Sequence, residues 1–364
     1  METIEDLGAY TFQALLANSV KKFASSNALS LIDGKPVTYA ELGQKAADTA
    51  RLLAALGLKR YAKVAVLGSG CPDWGVSYFA IVNYGWIAVP LLPDFSVTEL
   101  EAIANHCGFD ALIVSGPLYK KIQPVLDKMP EIIVCMDDFS VLSKPENIQI
   151  DKNVIAQTPL PQIKVQDEDT ASIIYTSGTT GRSKGVELTN KNLIWTAFQG
   201  QTLHRINKMD RCLSFLPISH VYEFTIDFTM QMMNGACVYY LGKPPTVSAL
   251  LPAFKKVQPT IVCSVPLIME KIYKNKVLPQ FQKTKLLRII YKIKPFQILL
   301  HRIAGRQLKK QFGGYLVFFG IGGAKVDMTV ERFLKDAKFP YAIGYGLTET
   351  SPLIAGSGPS ITYP

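Results

Sequence analysis

The chain has 364 residues, 48% of them hydrophobic, and carries a formal net charge of +10. That is enough apolar material for a large core divided over more than one lobe. The charge is concentrated: residues 271–310 hold 12 Lys/Arg and no Asp/Glu, and the remainder sums to −2, which argues against a general polyanion or nucleic-acid binder.

The start, Met-Glu-Thr-Ile-Glu-Asp, is acidic and lacks the basic-then-apolar order of a signal peptide. The longest apolar run, near 79–92, is interrupted by Asn83 and Pro90, so no transmembrane helix is expected. Six scattered cysteines without Cys-x-x-Cys and four isolated histidines read as core thiols in a reducing compartment, not as a metal site. A cytoplasmic location follows.

An apolar-periodic stretch predicts a helix over 11–22. Thr38, with Glu41 three residues on, forms a capping box for a second helix over 39–56. Then come a strand over 62–67, a helix over 72–84 with proline in its first turn, and a strand over 86–91. A helix over 97–106, a strand over 111–114, a helix over 118–128 and a strand over 131–136 continue the alternation. Short apolar strands alternating with helices predict an α/β fold with parallel sheets covered by helices.

Residues 140–168 lose periodicity and read as a connector into a loop at 176–184. Beyond it, Thr189 caps a helix reaching about 204, a strand covers 212–216 and a helix 219–233. Further strands are predicted at 236–241, 260–263, 315–320 and 341–343. Between them, 286–310 reads as two basic amphipathic helices broken at Pro295, with Leu286, Ile290, Ile293, Leu300 and Ile303 at helical spacing. Such a segment is either a solvated face or a peripheral contact with an anionic membrane.

Two stretches carry chemistry. In Tyr175-Thr-Ser-Gly-Thr-Thr-Gly-Arg-Ser-Lys-Gly185 an apolar strand end is followed by Thr176, Ser177, Gly178, Thr179, Thr180 and Gly181, with no bulky side chain among them. Glycines allow close backbone approach, successive N–H groups form an anion-binding concavity, and Lys184 adds a cation. The spacing is not that of a Walker loop, and no Gly-x-Ser-x-Gly elbow exists for a serine hydrolase. In Gly344-Tyr-Gly-Leu-Thr-Glu-Thr-Ser351, Tyr345 offers a flat ring, Gly344 and Gly346 offer close approach, Thr348 a hydroxyl and Glu349 a carboxylate suited to magnesium beside phosphates.

Together these strings resemble the two signatures of the adenylate-forming superfamily, which includes acyl-CoA synthetases, peptide-synthetase adenylation domains and luciferases. The resemblance covers nearly the whole chain. It implies the large N-terminal domain of such an enzyme, with 60–188 as a first α/β subdomain and 1–55 plus 189–345 as a second. Tyr345 would stack on adenine, Thr348 would touch the α-phosphate and Glu349 would hold Mg²⁺. Gly322-Gly323-Ala324 matches the adenine-side turn, and Leu216-Pro-Ile-Ser-His220-Val-Tyr-Glu223 the segment that sets His220 beside a substrate carboxylate.

The implied reaction is ATP-dependent activation of a fatty acid to an acyl-adenylate, followed by transfer to coenzyme A. The basic insertion favours long-chain fatty acid–CoA ligases. Acyl–acyl-carrier-protein ligase, aryl-CoA ligase and a non-catalytic nucleotide- or acyl-binding module are the alternatives. The sequence ends at Pro364, before the family's ribose-binding aspartate, its hinge and its small C-terminal domain with a catalytic lysine. The barrel-like subdomain is therefore expected to be incomplete, and this chain alone to be inactive.

Overall fold

Helices begin where the sequence supplies caps. In the computed structural model, which describes residues 7–176 and 183–359, Thr11 accepts the Ala14 N–H at the head of the helix Phe12–Phe23. Thr38 and Glu41 close both halves of the predicted capping box on the helix Tyr39–Ala55. Ser96 with Glu99 and Thr189 with Asn192 do the same for the helices Val97–Cys107 and Asn190–Gly200. Each such cap satisfies amide donors that the helix itself leaves unpaired.

Two twisted sheets organise these helices. The first joins β1 (Asn27–Leu31), β2 (Val37–Thr38), β10 (Arg211–Ser214), β11 (Cys237–Tyr240), β12 (Ile261–Ser264), β13 (Phe318–Ile321), β14 (Tyr341–Tyr345) and β15 (Ala355–Ser357), in the order β15-β14-β13-β12-β10-β11-β1-β2. The second joins β3 (Lys63–Leu67), β4 (Ile87–Leu91), β5 (Ala111–Val114), β6 (Ile132–Cys135), β7 (Val141–Ser143), β8 (Thr170–Thr176) and β9 (Lys184–Thr189), in the order β7-β6-β5-β3-β4-β8-β9. Each sheet is parallel inside and closes with an antiparallel strand at both edges. The expected α/β architecture holds.

The core explains the apolar run that is too interrupted to span a membrane. Helix Pro72–Val82 is buried at every residue but Asp73, between elements of both sheets. Trp74 stacks on Tyr78 at 5.6 Å, and Tyr78 meets Phe12 at 5.1 Å and Phe224 at 4.5 Å. Residues from three distant parts of the chain thus share one aromatic cluster, which fixes the two sheets against each other. Close approach is built in: a Cβ on Gly75 would lie 2.7 Å from a Leu29 methyl and 3.1 Å from the Phe228 ring. Among the described residues no helix is long and apolar enough to cross a membrane.

Several predicted elements need correction. The connector at 140–168 contains the edge strand β7 and a short helix, Lys152–Gln157, capped by Asp151. Strands β1, β2 and β9 have no counterpart in the sequence reading, because each completes a sheet through a partner rather than through its own periodicity. The helix expected over 219–233 is a π-helical turn, Glu223–Thr229, running into Met230–Asn234. The strand expected from Tyr315 starts at Phe318. The two helices expected over 286–310 are present as Lys285–Ile290 and Lys294–Gln311, but the break lies at 291–293, and Pro295 occupies the first turn of the second helix, where its missing N–H costs nothing.

Candidate functional site

The predicted chemical residues gather at the carboxyl ends of parallel strands, the usual ligand edge of open α/β sheets. Gly322–Ala324 follows β13, the segment reaching His220 follows β10, and Gly344 to Glu349 closes β14. Ser177, Gly178, Thr179, Thr180 and Gly181 lie outside the described residues. The strands on either side are described. Thr176 ends β8 and pairs with Lys184, which is the exposed first residue of β9 and not part of a free loop.

Strand β8 is pinned by side-chain contacts near its end. Tyr175 is buried, and its hydroxyl shares a 2.7 Å hydrogen bond with His106 Nδ1. Gly185 sits opposite Tyr175; a Cβ there would meet the Tyr175 ring at 3.2 Å and Ile173 at 2.9 Å. Strand β9 in turn lies against the turn Thr348–Thr350. Two motifs about half the chain apart in sequence therefore meet at one edge.

The second motif has the shape of a cradle. Tyr345 is 65% exposed, leaving a ring face free. Glu349 is exposed and Thr348 is half-buried beside it. Gly346 is crowded by backbone: a Cβ would lie 1.6 Å from the Pro352 carbonyl oxygen. Thr350 Oγ1 accepts the Leu347 N–H at 2.9 Å, which holds the turn closed. Gly323 has φ +85°, a left-handed conformation that favours glycine, and Cβ atoms on Gly320 and Gly322 would each meet Tyr222 at 3.0 Å.

His220 is exposed, and its Nδ1 accepts the Tyr222 N–H at 3.3 Å. That leaves Nε2 as the protonated, donating nitrogen. The protein around the ring disfavours the imidazolium and lowers its pKa, so the side chain is neutral at pH 7 and presents a donor outward. Such a group can orient a carboxylate; it is not arranged to take a proton from one.

Beneath it lies a pair the sequence reading passed over. Glu223 and Asp227 are fully buried, 1% exposed each, on the π-helical turn. Ser214 Oγ donates to Glu223 Oε1 at 2.5 Å, which ties the end of β10 to the segment bearing His220. Glu223 Oε2 and both Asp227 carboxyl oxygens have no hydrogen-bond partner of ordinary geometry; the thiols of Cys212 and Cys263 lie beside Asp227. Burial, reinforced for Glu223 by the Asp227 charge, raises both pKa values. Two acids four residues apart in an otherwise apolar stretch were the available signal.

Among the described residues no three His, Cys, Asp or Glu side chains converge as a metal site. A magnesium ion at Glu349 would thus be held by one carboxylate and by ligand phosphates, a normal arrangement for that ion. An open cleft of about 470 Å³ lies where strand ends of the two sheets meet, lined in part by Ser69, Asp94, Leu216 and Lys243. It shares the Ser214–Pro217 stretch with the His220 segment but touches none of the predicted nucleotide-binding residues.

Comparison with known proteins agrees with the fold. The profile of the AMP-binding enzyme family matches residues 16–363. Long-chain-fatty-acid–CoA ligase 4 of Saccharomyces cerevisiae is 32% identical over 251 residues, 65% of this chain and 35% of the yeast protein. The peroxisomal long chain acyl-CoA synthetase 6 of Arabidopsis thaliana is 27% identical, over 89% of this chain and 49% of the plant protein. This chain thus spans half or less of the length of these relatives. Among solved structures, the anthranilate CoA ligase AuaEII in complex with anthranoyl-AMP has a TM-score of 0.76 at 20% identity, covering 98% of this chain and 62% of that one. The N-terminal domain of FACL13 from Mycobacterium tuberculosis reaches 0.74 at 18% identity, over 94% and 77% of the two chains.

Proposed function

The chain belongs to the AMP-binding enzyme family, and we propose that it is the nucleotide- and acid-holding part of a long-chain fatty acid–CoA ligase. The observation that carries this reading is the meeting of β9, with Lys184, and the Thr348–Thr350 turn. Each of the two sheets would then form the core of one subdomain, 60–188 and 1–55 with 189–345.

In this reading a fatty carboxylate, oriented by the Nε2–H of His220, attacks the α-phosphorus of ATP. The products are an acyl-adenylate and pyrophosphate, and the thiol of coenzyme A then displaces AMP. Tyr345 takes the adenine face, with Gly322, Gly323 and Ala324 on its other side. Thr176 to Gly181 and Lys184 hold the phosphates, and Thr348 lies at the α-phosphate. Glu349 would hold Mg²⁺, which would neutralise phosphate charge. The chain's own contribution is positioning and fixed charge, not proton transfer.

Fatty over aryl acids is favoured by the relatives named above, although an aryl ligase shares the fold. The location proposed is cytoplasmic, with 271–310 in peripheral contact with an anionic membrane. ATP–pyrophosphate exchange by the gene product that contains this chain, across a panel of fatty and aryl acids, tests the assignment. Long-chain acids are expected to support exchange, and exchange with aryl acids alone overturns the substrate class. Lys184→Ala and Thr179→Ala are each expected to lower exchange by about a hundredfold, as loss of a charge-stabilising donor does. The thermal unfolding midpoint should stay unchanged for Lys184→Ala, because that side chain is exposed.

A further inference from the structure

The basic segment differs from its sequence reading in one respect that changes its meaning. Ile290 and Leu300 turn partly inward, while Leu286, Ile289, Ile293, Phe296, Leu299 and Ile303 are exposed, each by 45% or more. They run along the helix Lys285–Ile290, the short link after it and the outer side of Lys294–Gln311. Phe296, Leu299 and Ile303 recur at i, i+3, i+7, which makes one stripe. His301, Ala304, Gly305 and Leu308 are buried on the opposite side. The long helix therefore has two apolar faces, one in the core and one in water.

The outer face is held out by an internal network. His301, 2% exposed, meets Asp336 Oδ2 through Nδ1 and the Tyr291 hydroxyl through Nε2, both at 2.9 Å. Tyr291 also stacks on buried Phe281. The link between the two helices is thus anchored to the body, and the outward stripe cannot fold back without breaking these bonds. Exposed Lys285, Arg288, Lys292, Arg302 and Arg306 surround it, with no acidic residue in 271–310.

We infer that this face is a wedge that inserts into the acyl boundary of an anionic bilayer, with Phe296 and Leu299 at its centre. An apolar stripe flanked by cations, in a segment without an acidic residue, matches the layering of such a membrane, apolar below and anionic above. A protein partner would need an apolar patch with an acidic rim. The inference rests on the peripheral contact proposed above but adds penetration to adhesion.

Sedimentation of the chain with vesicles, and the emission of a Phe296→Trp variant, separate the two. Vesicles of phosphatidylcholine mixed with phosphatidylglycerol are expected to bind far more protein than phosphatidylcholine alone. Replacing Lys285, Lys292, Arg302 and Arg306 by glutamine should lower partition by about a hundredfold or more at low salt. Phe296→Ser with Leu299→Ser should lower it by about tenfold, and this loss should persist at high salt, where charge is screened. Emission of Phe296→Trp should move to the blue on the anionic vesicles and be quenched by brominated acyl chains. Sedimentation without that shift leaves adhesion standing and overturns insertion. Absence of sedimentation overturns both. A dimer in solution that the double serine variant dissolves assigns the face to a second copy instead.

Discussion

Gly346→Ala is expected to destabilise the protein by about 3 kcal/mol or more and to abolish nucleotide binding in the fraction that folds. A Cβ would stand 1.6 Å from the carbonyl oxygen of Pro352 and 2.7 Å from its carbon. Both obstacles are backbone, so no rotamer change relieves them. The turn must open, and Tyr345, Thr348 and Glu349 move with it. Gly346 is absent from the positive-φ residues, so space and not dihedral freedom sets the requirement. Gly344→Ala is the control, because its nearest obstacle is the movable Leu353 side chain at 3.2 Å. Thermal unfolding of both variants checks the argument, and a Gly346→Ala protein as stable as Gly344→Ala contradicts it.

The second large effect is a pH dependence of stability set by Glu223 and Asp227. Both acids have folded pKa values raised above their unfolded ones, by burial first. The folded state therefore holds protons that the unfolded state releases above pH of about 4. Stability from this pair is complete below that pH and falls as pH rises through the folded values, by about 1.4 kcal/mol per pH unit for each proton. Asp227→Asn mimics the neutral acid and is expected to flatten the fall and to gain stability at pH 8 relative to the parent. Glu223→Gln can keep the contact to Ser214, whereas Glu223→Ala leaves Ser214 unpaired and a cavity, at about 3 kcal/mol. Urea unfolding across pH 5 to 9 reads all three. A parent and Asp227→Asn curve of equal slope would contradict a proton held by the pair.

How much of this was legible without the fold depends on where each signal lives. Caps are local, so Thr38 with Glu41 and Thr189 announced helices at nearly the observed starts, whereas the helix Phe12–Phe23 was read from periodicity and its Thr11 cap is seen only in the structure. Buried parallel strands such as Ala111–Val114 are continuous apolar runs and stand out in the same way. Strand β1 does not, because it is defined by pairing with β11, far along the chain. Lys184 looked like a loop cation because β9, which it begins, is defined only by its pairing with β8.

Local patterning did not mark Glu223 and Asp227 as buried, because their burial comes from tertiary packing around Phe224 and Phe228. Helical periodicity at 286–303 was correct, but spacing alone could not say which apolar residues face the core. Ile290 and Leu300 faced in, and Ile289, Phe296 and Leu299 faced out. The glycine-rich stretch at 177–181 lies outside the described residues, and its role rests on the strands that bracket it.

Titration calorimetry with AMP tests most directly whether the two motifs form a single nucleotide site. The 364-residue chain is expected to bind one AMP saturably. Tyr345→Ala should weaken that binding by about tenfold, as loss of one base-stacking ring does, without changing the unfolding midpoint, since the ring is exposed. Equal affinity of the parent and Tyr345→Ala, or no saturable heat with AMP, would contradict the site.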